Sequence, residues 1–339
     1  MSLDSAMQSI WYSNSRVAWL LLPLSWLFGA VSVIRRFLYQ SGWLATIRVT
    51  KPVIVIGNIT VGGTGKTPLV IWLAQALTTR GYKVAVIARG YRGAADSWPQ
   101  AVTMDSDPDV VGDEPVVIAQ QVDAIVVAGP DRVADAKTAI ELGADIVISD
   151  DGLQHYRLHR DLEIAVVDGS RMFGNGLLLP AGPLREAPSR LQRADLVFVN
   201  QRNATTNIDS SFNTGLKYRV ELIELRSLKS DHVLKLDSLR GQQVHVVTGI
   251  GHPQAFVDAL RAHGIKVLPR LFPDHALIKQ EDIEFGDALP VLMTTKDAVK
   301  CRKLDIDERY WVVDAHAVLD ATASSIVIDL IQAIINDAN

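Results

Sequence analysis

A glycine-rich turn between an apolar strand and a helix constrains this chain more than any other feature. The segment reads Ile54-Val-Ile-Gly-Asn-Ile-Thr-Val-Gly-Gly-Thr-Gly-Lys-Thr67 and leads into a helix predicted over 67–80. Glycines let backbone N–H groups approach a phosphate without hindrance from Cβ atoms, and the helix N-terminus adds positive partial charge. The pattern therefore predicts a phosphate-binding P-loop.

Within this P-loop, Lys66 would reach the β- and γ-phosphates of a nucleotide, and the Thr67 hydroxyl would bind Mg²⁺. The other residues predicted to surround the phosphates are Thr60, Val61, Gly62, Gly63, Thr64 and Gly65. The general pattern G-x-x-x-x-G-K-[ST] has glycine where this chain has Thr60. Membrane-partitioning P-loop ATPases carry a second lysine at the position of Val61, so the sequence disfavours a dimer-switched ATPase.

Short runs of Val and Ile alternate with helical stretches along the rest of the chain. The first series of predicted strands is Val53–Gly57, 83–88, 124–128, 145–149, 163–167 and 195–199. Runs that are apolar on both faces and alternate with helices are typical of a doubly wound parallel sheet. A strand pair at 217–225 and 232–236 follows, and then a second series with strands at 244–247, Val291–Thr294 and 310–313 and a last helix over 322–335.

We therefore expect an α/β protein whose P-loop NTPase-like, doubly wound parallel sheet is joined by a β-ribbon linker to a second, smaller α/β domain. An N-terminal membrane-associated helix precedes them. The predicted divisions are a membrane-associating segment over 1–45, a nucleotide-binding domain over 46–215, a ribbon over 216–240 and a C-terminal domain over 241–339.

The N-terminal segment contains an uncharged run over 17–34, followed by Arg35 and Arg36. As a helix this run would span roughly 27 Å, slightly less than a hydrocarbon core of about 30 Å. Its flanking arginines would place the long C-terminal part in the cytoplasm if the helix crossed the membrane. Pro23 and Gly29 would kink such a helix, which leaves an interfacial arrangement open. A buried core helix is the alternative without a membrane.

Bulk composition limits the function. The net charge of −4 and the pI of about 6.1 provide no general attraction to nucleic acid. With Cys301 as the single cysteine, no disulfide can form within the chain, which is consistent with a reducing compartment.

Two carboxylate pairs are candidates for chemistry. Asp150 and Asp151 end an apolar strand, and ligands of doubly wound sheets bind beyond that edge. Beside a P-loop, such carboxylates hold Mg²⁺ directly or through water. Asp113 and Glu114 form the second pair, where local sequence favours Asp113 as a helix N-cap with Pro115 in the first turn.

Several other polar residues follow strand ends or lie in loops. Arg89 and Arg185 could bind phosphate through their guanidinium groups, although loop arginines are more often simply solvated. His275 could be a surface residue or part of a general base. His155 and His159 match no metal-ligand pattern and are interpreted as structural.

Together these segments resemble the tetraacyldisaccharide 4′-kinases of lipid A biosynthesis over nearly the whole chain. Matching motifs, in family order, are Val55–Pro68 around the P-loop, Arg89-Gly-Tyr91, Gly112-Asp-Glu-Pro115, Asp150-Asp-Gly-Leu-Gln-His155, Phe173-Gly-Asn-Gly176, Leu179-Pro-Ala-Gly-Pro-Leu-Arg-Glu186, Gly249-Ile-Gly251 and Thr295-Lys-Asp-Ala-Val-Lys300. This family also lacks the glycine that Thr60 replaces.

The resemblance implies transfer of the ATP γ-phosphate to the 4′-hydroxyl of an acylated glucosamine disaccharide 1-phosphate, which gives lipid IVA. It implies ATP and Mg²⁺ as cofactors and an inner-membrane location with catalytic domains on the cytoplasmic side, and no obligate protein partner. The resemblance implies that Asp113 is the catalytic base and that His275 is oriented against this base. The residues implied at the Mg²⁺ site are Thr67, Asp150, Asp151 and Glu114. Those implied to bind substrate are Arg185, Arg89 and Tyr91.

The sequence disfavours two other classes of function. A GTPase or metallochaperone of the same broad P-loop class would need an N-K-x-D guanine motif or a Cys/His cluster, and Thr295-Lys296-Asp297 has the wrong spacing. A membrane-anchored scaffold with a vestigial nucleotide site is disfavoured by the intact Lys66 and Thr67.

Overall fold

Parallel strands that lead into the P-loop form the centre of a mixed sheet. The structure is a computed structural model and describes residues 3–13, 15–201, 215–230 and 232–338. The strands are β1 (Val53–Gly57), β2 (Val84–Ala88), β3 (Gln100–Val102), β4 (Ile125–Ala128), β5 (Ile146–Asp150), β6 (Leu162–Asp168), β7 (Leu196–Asn200), β8 (Gly215–Ser227), β9 (Val233–Lys235), β10 (Gln243–Thr248), β11 (Lys266–Leu271), β12 (Val291–Thr294) and β13 (Tyr310–Leu319).

The α-helices lie between these strands and at both ends of the described chain. They are α1 (Leu3–Trp11), α2 (Val17–Leu20), α3 (Leu22–Gln40), α4 (Lys66–Thr78), α5 (Pro108–Val111), α6 (Asp113–Gln121), α7 (Arg132–Glu141), α8 (Pro253–Ala262), α9 (Gln280–Ile283), α10 (Thr295–Ala298) and α11 (Ala321–Ala338).

The chain forms two compact units. The first comprises Met1–Arg219 and Ala317–Asn339, and the second comprises Val220–His316. The chain leaves the first unit within β8 and re-enters it within β13, so α11 belongs to the first unit. The compact units thus differ from the sequence-based division at 241–339, which stays a prediction about functional domains.

In the first unit the strand order is β8-β7-β6-β1-β5-β2-β4-β3. Neighbouring strands are parallel except β3, which pairs antiparallel with β4. The α/β class is therefore confirmed, but the sheet is mixed rather than wholly parallel. The three residues of β3 are too few and too exposed to produce a periodic pattern, and antiparallel edge strands are common on parallel sheets.

The central strands of this sheet are buried on both faces. Every residue of β1, β2, β5 and β6 is buried, and Ile54 of β1 lies between Ile148 of β5 and Leu162 of β6. This burial explains why the apolar runs predicted these strands to within a residue at each end.

In the second unit the strand order is β11-β10-β12-β13-β8, and β9 pairs antiparallel with β8. The predicted strand pair is thereby confirmed, with Leu225 opposite Leu234. It is not isolated, however, because the first residues of β8 also pair in parallel with β7. The sequence did not indicate β11, a mostly exposed strand that contains Pro269.

The N-terminal apolar run is divided between α2 and α3, and one side of α3 packs on the Pro/Gly loop 177–185. Ser25 Oγ donates to the Leu178 carbonyl at 2.8 Å and accepts from the Ala181 N–H at 3.0 Å. A Cβ atom on Gly29 would lie 2.7 Å from Leu178 Cδ1. The run is interrupted at Leu21, and Pro23 lies in the first turn of α3, where no N–H is needed; α3 continues through Gly29, which allows close packing.

The opposite side of α3 exposes large apolar side chains. They include Leu24, Trp26, Leu27, Val31, Val33, Ile34 and Phe37. Across the described ranges, with their gaps at 14, 202–214 and 231, no helix is both long and apolar enough to span a membrane.

We predict that Gly182→Ala destabilises the first unit, because the new Cβ would lie 2.2 Å from the Leu177 carbonyl oxygen. Backbone must shift to relieve this contact, so the free energy of unfolding should fall by about 1–3 kcal/mol in urea titrations. Gly286→Ala is the control, since its Cβ would meet open space and should change stability by less than about 0.5 kcal/mol. Equal effects of the two substitutions would contradict the packing of this loop.

Candidate active site

The P-loop connects β1 to α4 and is held from the neighbouring strands. Gly65 has a φ of +87°, a left-handed conformation that favours glycine. Asn200 Nδ2 donates to the Thr64 carbonyl at 3.1 Å, and the Tyr218 hydroxyl donates to the Gly65 carbonyl at 2.8 Å. Both contacts use carbonyl oxygens, so they fix the turn without engaging the N–H groups that a phosphate requires.

Thr60 occupies a position that needs no glycine. It forms an antiparallel bridge with Leu184, and the next residue, Val61, donates its N–H to the Pro183 carbonyl at 2.8 Å. The side chain of Thr60 is buried within hydrogen-bond reach of Asn58 Nδ2 at 3.4 Å. The departure from the general pattern is thus explained by pairing between the P-loop and the Pro/Gly loop.

Three predicted site residues meet at the C-terminal ends of β1 and β5. Lys66 Nζ lies 3.4 Å from Asp151 Oδ1, and Arg185 Nη1 lies 2.9 Å from Asp151 Oδ2. Burial by itself would raise the pKa of Asp151, but Lys66 and Arg185 hold that pKa well below its usual range. The Asp151 carboxylate is therefore ionised and bridges two cations beside the P-loop.

Asp150 lies in a different environment from its neighbour. Burial, with a further contribution from Glu114, raises the pKa of Asp150 to about 7. Its Oδ1 is buried and has no hydrogen-bond partner among the described residues, whereas its carbonyl oxygen accepts from Arg132 at 3.1 Å. A buried carboxylate oxygen without a donor is suited to accept a cation or a cation-bound water.

Asp113 begins α6 and is only 7% exposed. The N-cap predicted for Asp113 is wrong, because Gly112 takes that position with a φ of +88°. A Cβ atom on Gly112 would lie 2.9 Å from the backbone of both Gly90 and Tyr91. Close packing without that atom places the Arg89–Tyr91 segment directly against the turn that presents Asp113.

His275 lies in the second unit, with a φ of +58°. Its Nε2 is 3.1 Å from Lys296 Nζ and 3.8 Å from Asp274 Oδ1. Lys296 also contacts Asp274 at 3.1 Å, so the imidazole belongs to a small charged cluster. Its orientation toward Asp113 stays a prediction.

Two arginines near the site were not predicted from the sequence. Arg132 is 2% exposed and donates to the Gly129 carbonyl, to Asp135 at 3.2 Å and to the Asp150 carbonyl. Arg171 donates to the Gly63 carbonyl of the P-loop at 2.6 Å and pairs with Asp168. Each follows the C-terminal end of a predicted strand, and that position was the available signal.

His155 is surrounded by cationic groups. Burial, together with Arg132 and Arg89, lowers the pKa of this imidazole to about 4. It is therefore neutral at physiological pH.

The predicted Mg²⁺ residues do not form a protein-only metal cage. Among the residues that the structure describes, no group of three or more His, Cys, Asp or Glu side chains could hold an ion. The oxygen-rich set of Thr67, Asp150 and Glu114 nonetheless fits an ion that takes its remaining ligands from nucleotide phosphates and water.

Comparison with known proteins identifies the family. The family model for Tetraacyldisaccharide-1-P 4'-kinase matches residues 17–332. A tetraacyldisaccharide 4′-kinase of Nitrosococcus oceani is 46% identical and covers 95% of this chain and 93% of its own, and one from Xanthomonas campestris pv. campestris is 44% identical over 92% and 91%. A crystal structure of LpxK from Aquifex aeolicus in complex with ATP is 29% identical, with a TM-score of 0.81 over 94% of this chain and 99% of that one.

We predict that His155 makes stability fall on acidification. Its pKa of about 4 in the folded chain lies below the ordinary 6.5, so between these values the unfolded chain binds more protons at this residue. The free energy of unfolding therefore decreases as the pH falls from 6.5 to 4. His155→Gln removes this contribution, so its urea midpoint should approach or exceed that of the unaltered protein at low pH.

The control for this pH series is His232→Gln, at an exposed position. Its urea midpoint should stay at a constant offset from that of the unaltered protein from pH 4 to 7.5. A constant offset for His155→Gln as well would contradict the buried neutral imidazole.

Proposed function

This chain belongs to the tetraacyldisaccharide-1-P 4'-kinase family, and we propose that its first unit carries the chemistry of that reaction. The protein is an ATP-dependent lipid A 4′-kinase, which transfers the γ-phosphate of ATP to the 4′-hydroxyl of a tetraacyldisaccharide 1-phosphate. The observation that carries the residue assignment is the contact of Asp151 with both Lys66 and Arg185 beside the P-loop.

The nucleotide site is assigned to residues 60–67. The turn is fixed by Asn200 and Tyr218 through its carbonyls, which supports binding of phosphates by its N–H groups. Lys66 is within reach of Asp151 and would exchange this partner for the β- and γ-phosphates. An ATP-bound crystal structure of a relative of the same fold further supports ATP as the donor.

Thr67, Asp150 and Glu114 are assigned to Mg²⁺, with Asp151 beside them. When bound, this ion would neutralise charge on the β- and γ-phosphate oxygens. The buried, unsatisfied Oδ1 of Asp150 supports its part in this set, directly or through water. Asp151 is already paired with two cations, so its assigned role is to orient Lys66 and Arg185.

Asp113 is assigned as the general base. An alcohol is a weak nucleophile at neutral pH, so a carboxylate that accepts its proton during attack on the γ-phosphorus lowers the barrier. Asp113 is largely buried at the start of α6, and its Oδ1 accepts the Glu114 N–H at 3.0 Å, which holds the carboxylate in one orientation. Arg89 and Tyr91, packed against the same turn, are assigned to the acceptor, and His275 keeps its proposed role beside the base.

A membrane location is also proposed, because the acceptor is a lipid. The apolar residues on the exposed side of α3 include Leu24, Leu27, Val31 and Ile34, whose spacing places them on one face. The other side is occupied by its contacts with the Pro/Gly loop. This division supports a helix lying on the cytoplasmic face of the inner membrane, with its apolar side in the lipid.

We predict that Asp113→Asn lowers kcat at least about 100-fold, because the amide cannot accept the proton of the attacking hydroxyl. The measurement is transfer of label from [γ-³²P]ATP to a purified acylated disaccharide 1-phosphate. Asp123→Asn, an exposed substitution in the same unit, is the matched control and should retain full transfer. ATP hydrolysis without labelled lipid in the unaltered protein would reject the acceptor, and full activity of Asp113→Asn would reject the base.

We predict that replacing Leu27 and Val31 together with Ser weakens binding to phospholipid vesicles. The two substitutions remove apolar surface from the exposed side of α3 without touching Ser25 or Gly29. Vesicle sedimentation should show a loss of about tenfold or more in partition, since each buried methylene contributes about 0.8 kcal/mol. Leu142→Ser, at the exposed residue that caps the C-terminus of α7, is the control and should bind as the unaltered protein does.

A further inference from the structure

A cavity of about 300 Å³ lies beside the end of α3. Its walls come from the last turn of α3, the segment 156–163 and the 3₁₀ turn Pro188–Arg193. The residues that carry charge there are Arg36, Arg160, Arg190, Arg193 and Glu163. No residue of the P-loop, and none of those assigned to catalysis, Mg²⁺ or the acceptor, lines this cavity.

The cavity carries an excess of positive charge. Glu163 pairs with Arg160 at 2.7 Å and with Arg190 at 2.6 Å. Just outside the lining, Glu186 lies 3.8 Å from Arg36 and 3.6 Å from Arg190. Also outside the lining, Asp161 contacts His159 and Asp195 accepts the Glu163 N–H. The lining residues themselves present four guanidinium groups against one carboxylate, which favours an anionic ligand.

Two of these arginines retain capacity to donate hydrogen bonds. The buried Nε of Arg190 has no hydrogen-bond acceptor among the described residues, because the Glu186 oxygen at 3.6 Å is too distant. Arg193 is exposed, and within the described part of the chain its side chain forms no hydrogen bond or ion pair. Guanidinium forks match the oxygens of a phosphate group closely.

The position of the cavity on α3 identifies the source of the phosphate. Arg36, Tyr39 and Gln40 line it from the last turn, directly after the exposed apolar residues Val31 and Ile34. A helix that lies in the interface has headgroup phosphates along its flanks, so a cavity beside its last turn lies at their level. The rings of Tyr39 and Tyr156, 5.9 Å apart, are amphipathic groups of the kind that suit this layer.

We propose that this cavity binds the phosphodiester headgroup of an anionic bilayer phospholipid, as a site separate from that of the acceptor lipid. The proposal rests on the membrane docking of α3 proposed above. Its consequence is that the protein prefers anionic bilayers to zwitterionic ones through defined residues, in addition to its apolar contact. Free phosphate has the same recognition chemistry and is distinguished in the test.

The test compares binding of the full chain to phosphatidylcholine vesicles and to vesicles that also contain phosphatidylglycerol. We expect the anionic vesicles to bind more tightly, and Arg193→Gln to weaken that binding about fivefold, the effect of one arginine at such a surface. Binding to phosphatidylcholine should not change. Arg80→Gln removes the same charge from an exposed arginine at the end of α4 and should change binding less than twofold.

Each of the other possible results would reject one part of the proposal. Equal weakening by Arg193→Gln and Arg80→Gln would show general charge attraction and overturn the cavity site. Equal binding of the unaltered protein to both vesicles would overturn the site while leaving membrane docking in place, and binding to neither would overturn both. If inorganic phosphate binds in an Arg193-dependent manner without vesicles and phosphatidylglycerol has no effect, the site belongs to free phosphate and the lipid assignment is wrong.

Discussion

The bridging contact of Asp151 with Lys66 and Arg185 connects three parts of the chain that are far apart in sequence. Lys66 opens the helix of the P-loop, Asp151 follows β5, and Arg185 ends the Pro/Gly loop. This half-buried carboxylate can hold two cations because they approach it from separate segments. The carboxylate in turn prevents the two positive groups from repelling each other where phosphates are to bind.

The charges buried around this contact restrict the substitutions that the first unit can tolerate. Burial raises the pKa of both Asp150 and Asp135 to about 7, and Arg132 contacts both residues. Removing one partner from such a buried set of charges is strongly destabilising, because the remaining charge stays buried without compensation. Arg132 therefore has a structural reason to accompany the strand-end carboxylates, independent of any role toward phosphate.

The features that could be predicted are those whose signal lies within a short stretch of the sequence. Strands buried on both faces gave continuous apolar runs, so β1, β5 and β7 were predicted closely, whereas the short β3 and the exposed β11 gave no periodic signal. The P-loop residues and the strand-end carboxylates could be identified because their chemistry depends on local order along the chain. For Arg132 and Arg171 the only signal was their position after a strand end, because a single arginine in a helix or loop is usually solvated and their contacts with Asp150 and Gly63 are distant in sequence.

The N-terminal segment also shows that contacts between residues far apart in sequence cannot be predicted from a local pattern. Hydropathy identified the apolar run but could not show that Ser25 and Gly29 attach one side of it to the Pro/Gly loop. The family resemblance added the reaction, which no pattern in this chain could have specified beyond a nucleotide-dependent phosphotransfer.

The Pro/Gly loop is attached at both of its ends. Leu178, Pro180 and Ala181 bind the N-terminal helices, while Pro183 and Arg185 bond to the backbone of the P-loop strand region at 2.8 and 2.7 Å. With α3 resting on a bilayer as proposed, the distance of the reacting phosphate from the membrane is set by the eight residues from Leu178 to Arg185. The enzyme would then work at a fixed height above the lipid, and an acceptor must present its sugar at that height to react.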